Sequence, residues 1–160
     1  MNPAYAVAGA ESDDVVREGS SAGQKKEVEY ILPYPGILPD NPLFFLKNVR
    51  DRIIELMISD PVNKGEFYIL QADKKLNTGI LLSEKGKARD ARHVFSEALS
   101  YRVSAVETLV RASEKHTSIP GYVAEKLLLS LRKHREVLSG RNLPVETLET
   151  LLEKADALSF

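Results

Sequence analysis

The sequence predicts an all-α fold: an antiparallel up-down bundle of about five helices, with a long central helix and an extended Pro-rich N-terminal arm. Three observations carry that expectation. From Asn41 onward, apolar residues recur three and four positions apart, the period of a helix with one buried face. Asn41-Pro42 and Asp60-Pro61 each set a capping side chain before a proline, whose fixed φ and missing N–H suit the first turn of a helix. No run alternates with the period of two that a half-buried strand requires.

Residues 1–29 carry Ser, Gly, Glu and Asp with few large apolar side chains, and are expected to form a disordered tail. Ala6 to Ala8 and Ala8 to Ala10 place small residues in an Ala-x-Ala register before an acidic stretch. That is the pattern at the cleavage end of a signal peptide, but the basic and apolar regions of such a signal are missing. Two readings stand: the remnant of a signal-peptide cleavage region, and an ordinary small-residue start.

The domain itself is expected over 30–160, with the arm at 30–40. Four of the eight prolines fall between Pro33 and Pro42, interleaved with Tyr30, Ile31, Leu32, Tyr34, Ile37 and Leu38. Proline fixes φ, removes a donor and pushes the preceding residue to extended geometry, so the arm is read as extended with a turn at Pro35-Gly36. Its apolar side chains are read as docking in a groove between helices. Burying even three of them, at about 1.5–3 kcal/mol each, offsets much of an ordering cost that the prolines already lower. The competing reading presents Tyr30, Leu32, Tyr34, Ile37 and Leu38 to a partner.

The helices follow in order. α1 is expected from Pro42 to near Ser59, with Leu46, Val49, Ile53 and Leu56 as the stripe that faces the core. α2 opens at Asp60-Pro61, carries Ile69, Ala72, Leu76 and Ile80, and closes at Lys85-Gly86 with a cation in the last turn and a glycine for a left-handed cap. In α3, Ala88, Ala91, Phe95, Ala98, Arg102, Ala105, Leu109 and Ala112 keep heptad spacing over about 28 residues, roughly 42 Å. α4 runs from about Pro120 to Ser139 with Val123, Leu127, Leu128 and Leu131, and Gly140 closes it. α5 opens at Asn142 or Leu143 with Pro144 and carries Val145, Leu148, Leu151, Leu152, Ala155 and Leu158. Short connections force neighbours to be antiparallel. The alanines of α3 let a neighbour approach closely, which makes it the central helix.

Composition excludes more than it assigns. A net charge of −1 sets up no field for nucleic acid or an anionic membrane. The absence of cysteine excludes disulfides, thiolate metal sites and thiol nucleophiles. No run approaches the roughly 18 apolar residues of a membrane span. His93, His116 and His134 share no helical turn, and no Glu-x-x-His or His-x-x-x-His step offers a metal site. Phosphate loops and nucleophile elbows are likewise missing. The chain is therefore read as non-catalytic and without a cofactor.

Arg102 is the polar residue in the apolar seam of α3. It is read as a buried ion pair with Asp73 or Glu66 of α2, as a side chain snorkelling from the edge of the seam, or as the anchor of an anionic ligand in a pocket with Tyr68 and Tyr101. Arg132, Lys133, His134 and Arg135, with Arg141, are read as a solvated end of α4 that complements Glu146 and Glu149 of α5. No aromatic residue interleaves with them, as a platform for single strands needs. Gly86, Ala91, Phe95, Ala98 and Leu99 look like the middle of a tetratricopeptide repeat. The next copy, due about 34 residues on, meets the Pro120 break instead, so the match records two closely packed helices.

The stretches LPYPGILPDNPLFFLKNVRDRI and SDPVNKGEFYILQADKKL carry three marks. These are a Pro-Gly-Ile-Leu-Pro-Asp-x-Pro-Leu-aromatic-Phe-Leu-Lys entry at Pro35 to Lys47, an Asp-Pro restart at Asp60-Pro61, and an Ala-Asp-Lys-basic-Leu step at Ala72 to Leu76. Over residues 30 to about 110 the chain resembles a bacterial domain family of unknown function. The resemblance implies an α-helical domain exported behind an N-terminal signal or anchor, hence an extracytoplasmic location at the cell envelope or beyond; the alternative is cytoplasmic. It supplies no activity, ligand or catalytic residue. Gly65 and Gly79 stand where it implies alanine or another helix former. The functional expectation is a non-catalytic exported bundle that binds an unknown envelope protein or has a structural role there. The alternative is a ligand-binding or sensing domain with a pocket near Arg102.

Overall fold

The computed structural model describes residues 27–158, and the tail expected at 1–29 lies outside that range except for its last three residues. Those three are tethered, Val28 donating its N–H to Glu136 Oε2 at 2.6 Å. Five helices make up the domain, with no strand among the described residues: α1 Phe44–Met57, α2 Pro61–Glu84, α3 Ala88–Glu114, α4 Gly121–Ser139 and α5 Glu146–Asp156.

The local signals act as their chemistry requires. Asp60 Oδ1 accepts from the Asn63 N–H at 2.7 Å, with Pro61 in the first turn of α2. Asn41, expected as the cap of α1, instead closes a turn before it, and the cap position falls to Leu43 with no side-chain bond. Asn41 Oδ1 accepts from the Leu43 N–H at 2.9 Å and its carbonyl from the Phe44 N–H at 3.0 Å, so α1 begins at Phe44. Gly86 takes the left-handed conformation with φ 74°. After α4 the left-handed residue is Asn142, φ 54°, while Gly140 stays right-handed at −64°; asparagine tolerates that region better than most side chains do.

α2 and α3 form the spine. They run antiparallel with Gly65 beneath Leu109 and Gly79 beneath Phe95, and by the same register Ala72 comes opposite Arg102. Small residues at heptad positions of α2 thus meet large ones at heptad positions of α3. α2 is continuous through both glycines. A Cβ on Gly65 would lie 2.6 Å from Leu109 Cγ, and one on Gly79 would lie 2.4 Å from Phe95 Cε1. At an exposed helical site, Gly→Ala stabilises by about 1 kcal/mol. Here the methyl meets a buried ring, and overpacking of about 1–3 kcal/mol wins. Gly79→Ala is therefore expected to lower the thermal midpoint by several degrees; a midpoint that holds or rises would show that the two helices separate freely.

α4 lies beside α2 and parallel to it, with Tyr122 at Glu66 and Ser130 at Asp73. α5 packs on α4 and α3 and closes the ring. Ile69, Leu76, Leu109, Leu127, Leu131 and Leu148 are fully buried where the four helices meet.

The arm lies on this bundle by one face and turns every third side chain from Ile31 outward. Tyr30, Leu32, Pro35 and Leu38 turn inward, whereas Ile31 and Tyr34 are 93% and 81% exposed and Ile37 also points out. The outward side chains fall three residues apart, the period of a polyproline II chain, so the expectation that Ile31, Tyr34 and Ile37 dock with the others is corrected. The Pro33 carbonyl accepts from Asn77 Nδ2 at 3.0 Å and that of Pro35 from Lys47 Nζ at 2.8 Å. Gly36 has φ 74°, and the hydrogen-bonded turn follows at Leu38–Asn41.

α1 departs most from expectation. None of its residues is buried. Phe44, Lys47, Asp51 and Glu55 are its more covered positions, and Leu46, Val49, Ile53 and Leu56, predicted to face the core, are exposed. The reason lies in the surface beneath: Tyr68 donates to Glu55 Oε1 at 2.8 Å, Lys75 pairs with Glu97 at 2.8 Å, and the Lys75 ammonium stands 5.4 Å from the centre of the Phe44 ring. A polar outer face of the spine receives the polar stripe of α1.

Candidate functional site

Four elements converge on one carboxylate. α2 supplies Asp73, α3 Arg102, α4 Ser130 and His134, and the arm Tyr30. Arg102 Nη2 donates to Asp73 Oδ1 at 2.6 Å and lies 2.9 Å from His134 Nε2. Ser130 Oγ also donates to Asp73 Oδ1, and Tyr30 OH donates to Oδ2 at 2.7 Å. Asp73, Arg102, Ser130 and His134 are all buried. His134 Nε2 also lies 3.3 Å from Asp73 Oδ1, so this nitrogen accepts from the guanidinium in one neutral tautomer and donates to the carboxylate in the other.

The electrostatics follow from burial and from these partners. Burial raises the Asp73 carboxyl, but the hydrogen bond with His134, the charge of Arg102 and the Ser130 hydroxyl overcome it and bring it down to about 2. Burial, with the Arg102 charge, lowers His134 to about 4 against the pull of Asp73. Burial also pulls Arg102 below its ordinary value, opposed by Asp73. Tyr30 is raised by burial and then by Asp73. Near neutral pH the site is an ionised carboxylate with a guanidinium, a neutral imidazole and two intact hydroxyls. Both Asp73 oxygens are engaged, and His134 Nε2 is enclosed between Arg102 and Asp73. Such an arrangement clamps the helices and the arm together.

Of the residues singled out in the sequence, Arg102 and Asp73 are brought together and Tyr30 joins them. Glu66 is elsewhere, accepting from Tyr122 OH at 3.2 Å with Lys126 at 3.8 Å. Tyr68 and Tyr101, ring centroids 6.2 Å apart, lie by Glu55 of α1. Arg102 Nε and Nη1 have no hydrogen-bond partner among the described residues. His134 is a correction, since it was grouped with a solvated basic end yet is 1% exposed. Lys133 pairs with Glu136 at 2.8 Å, Arg135 with Glu149 at 3.1 Å, and Arg141 stands over the Phe95 ring. The signal for Ser130 and His134 was present: with Val123, Leu127 and Val137 they keep three-and-four spacing, two polar residues inside a core stripe.

The depressed His134 value gives stability a pH dependence with a definite sign. As pH falls from about 6.5 toward 4, the unfolded chain takes up the imidazole proton before the folded one does, so this contribution is complete above 6.5 and lost through that window. A further loss follows as Asp73 protonates, from its ordinary range down to about 2. Denaturant melts from pH 7 to 4.5 are expected to show the first limb, on the order of a few kcal/mol, and His134→Gln to flatten it. The same slope in both proteins would mean that His134 is not the group titrating.

No family model, curated protein or solved structure matches the chain. Among the described residues there is no cluster of metal-ligating side chains, and no helix is long and apolar enough to cross a membrane.

Proposed function

We propose that this chain is a non-catalytic interaction domain of the bacterial cell envelope, a member of the exported helical family its entry motif resembles, and that it offers the outward face of α1 to another protein. One observation carries the reading: α1 sets its polar stripe on the bundle and leaves its apolar stripe in water. A contiguous apolar face of this kind on a folded chain marks a contact surface. The rest of the site fits as its mounting. Tyr30 fixes the arm to Asp73, the Pro35 carbonyl accepts from Lys47, and Asp40 pairs with Lys87 at 3.0 Å, so the position of α1 is set by the buried network. Export is supported by the entry motif and by the Ala-x-Ala register.

A ligand site at Arg102 has the two unpartnered guanidinium nitrogens in its favour. Against it, Arg102 has no exposed surface and its charge is answered by Asp73.

The test is Leu46→Glu combined with Leu56→Glu. At submicromolar concentration the thermal midpoint is expected to stay within about 2 °C, as for a surface change, while binding of an apolar dye falls severalfold. A collapse of the melt would place these leucines in the core and end the reading.

A further inference from the structure

The outward face of α1 carries six large apolar side chains, Phe45, Leu46, Val49, Ile53, Leu56 and Met57, each 41–77% exposed. The first clue to what covers it is symmetry. These residues lie six, five and two positions before Asp51, and two, five and six positions after it. The face therefore reads alike in both directions about Asp51. A two-fold contact imposes that requirement: where residue i of one copy meets residue j of the other, j also meets i. Two α1 helices packed antiparallel about an axis at Asp51 set Phe45 against Met57, Leu46 against Leu56 and Val49 against Ile53, each pair occurring twice.

The second clue is charge. A helix lying in a membrane surface uses Lys and Arg along its polar flank to reach anionic headgroups. In α1 these cations are engaged within the chain. Arg50 pairs with Asp51 at 2.7 Å, Arg52 with Glu55 at 3.1 Å, and Lys47 turns onto the Pro35 carbonyl at 2.8 Å. A neutral apolar face with self-satisfied flanks suits another apolar face. The third clue is area. At their exposures the six side chains present roughly 800 Å² per copy, about the share of one partner in an interface of standard size.

We infer that the partner of this face is a second copy of the same chain: α1 is a dimerisation helix, packed antiparallel on its counterpart about a two-fold axis at the level of Asp51. This rests on the reading of the α1 face as an interaction surface, and names its occupant.

The experiment uses the full chain. Sedimentation equilibrium over a concentration series is expected to show the mass rising toward twice that of one chain. Leu46→Glu with Leu56→Glu is expected to weaken association at least about 100-fold, the cost of setting carboxylates in an apolar contact. Unfolding of that variant on its own would defeat the interaction-surface reading. A folded variant beside a wild type that stays monomeric to about 100 μM would defeat the dimer alone. A dimer that survives the substitutions would place the interface elsewhere and overturn the inference. So would a monomer that pellets with vesicles of phosphatidylserine and phosphatidylcholine, which would give the face to lipid.

Orientation has its own readout, because the chain contains no cysteine. Mixing Leu46→Cys with Leu56→Cys and oxidising is expected to give the crossed dimer several-fold in excess of either self-linked product. In the antiparallel pair the two Leu46 positions lie ten residues apart along the helix, roughly 15 Å, beyond the reach of a disulfide at about 7 Å. Efficient self-linking at Leu46 would mean parallel helices and overturn the arrangement.

Discussion

Asp73→Ala is expected to cost this domain about 3–5 kcal/mol, the penalty of leaving a buried guanidinium without its counter-ion. Arg102 has no exposed surface from which to recover solvent, and Tyr30 and Ser130 lose their acceptor in the same step. For a domain of this size that loss corresponds to a fall in thermal midpoint of roughly 10–20 °C. The control is a cycle. Asp73→Leu combined with Arg102→Met removes both charges and is expected to recover most of the loss, since apolar replacements for a buried ion pair are often neutral or better. If Asp73→Ala alone melts like the parent, the pair is not the clamp that its geometry describes.

A chain beginning at Asp40 is expected to show the second large effect. It lacks the Tyr30 hydroxyl on the Asp73 carboxylate, a bond to a charged group worth about 1.5–3 kcal/mol, and the inward Leu32 and Pro35. Against these stands the entropy of ordering the arm, which its prolines reduce. We expect a net loss of about 2–4 kcal/mol, read as a lower midpoint in paired melts by far-UV circular dichroism. Tyr30→Phe separates the two parts. It keeps the ring and removes the hydroxyl, and is expected to give about 1–3 kcal/mol of that loss by itself. Equal melts for the full and shortened chains would mean that the arm merely rests on the bundle.

What was legible in the sequence was what is decided locally. The start at Asp60-Pro61 and the turn at Gly86 need only their own side chains and φ angles, and both are where the residues place them. What depended on a second element was legible in part. Glu66 and Asp73 lie seven residues apart on α2, so spacing could not choose between them as partners for Arg102; the register of α3 does. Gly65 and Gly79 looked like weak points until Leu109 and Phe95 were seen to occupy the space of their missing side chains. The stripe of α1 was correctly seen as apolar, but periodicity gives a face without saying what the face meets. His134 was hidden by its neighbours, since Arg132, Lys133 and Arg135 drew it into a charged run, whereas counting from Leu127 and Val123 put it in the core.

The heptad match of small and large residues along α2 and α3 has a consequence for how the chain finds its fold. A pattern that repeats every seven residues can slide by seven and still lay apolar groups on apolar groups. One such slip would carry Arg102 away from Asp73 and bury a lone cation against a glycine, an error costing several kcal/mol. Because the pair forms only in the native register, it penalises such a slip. Apolar substitutions that preserve stability at Asp73 and Arg102 would leave a protein that melts normally yet populates misaligned hairpins as it refolds.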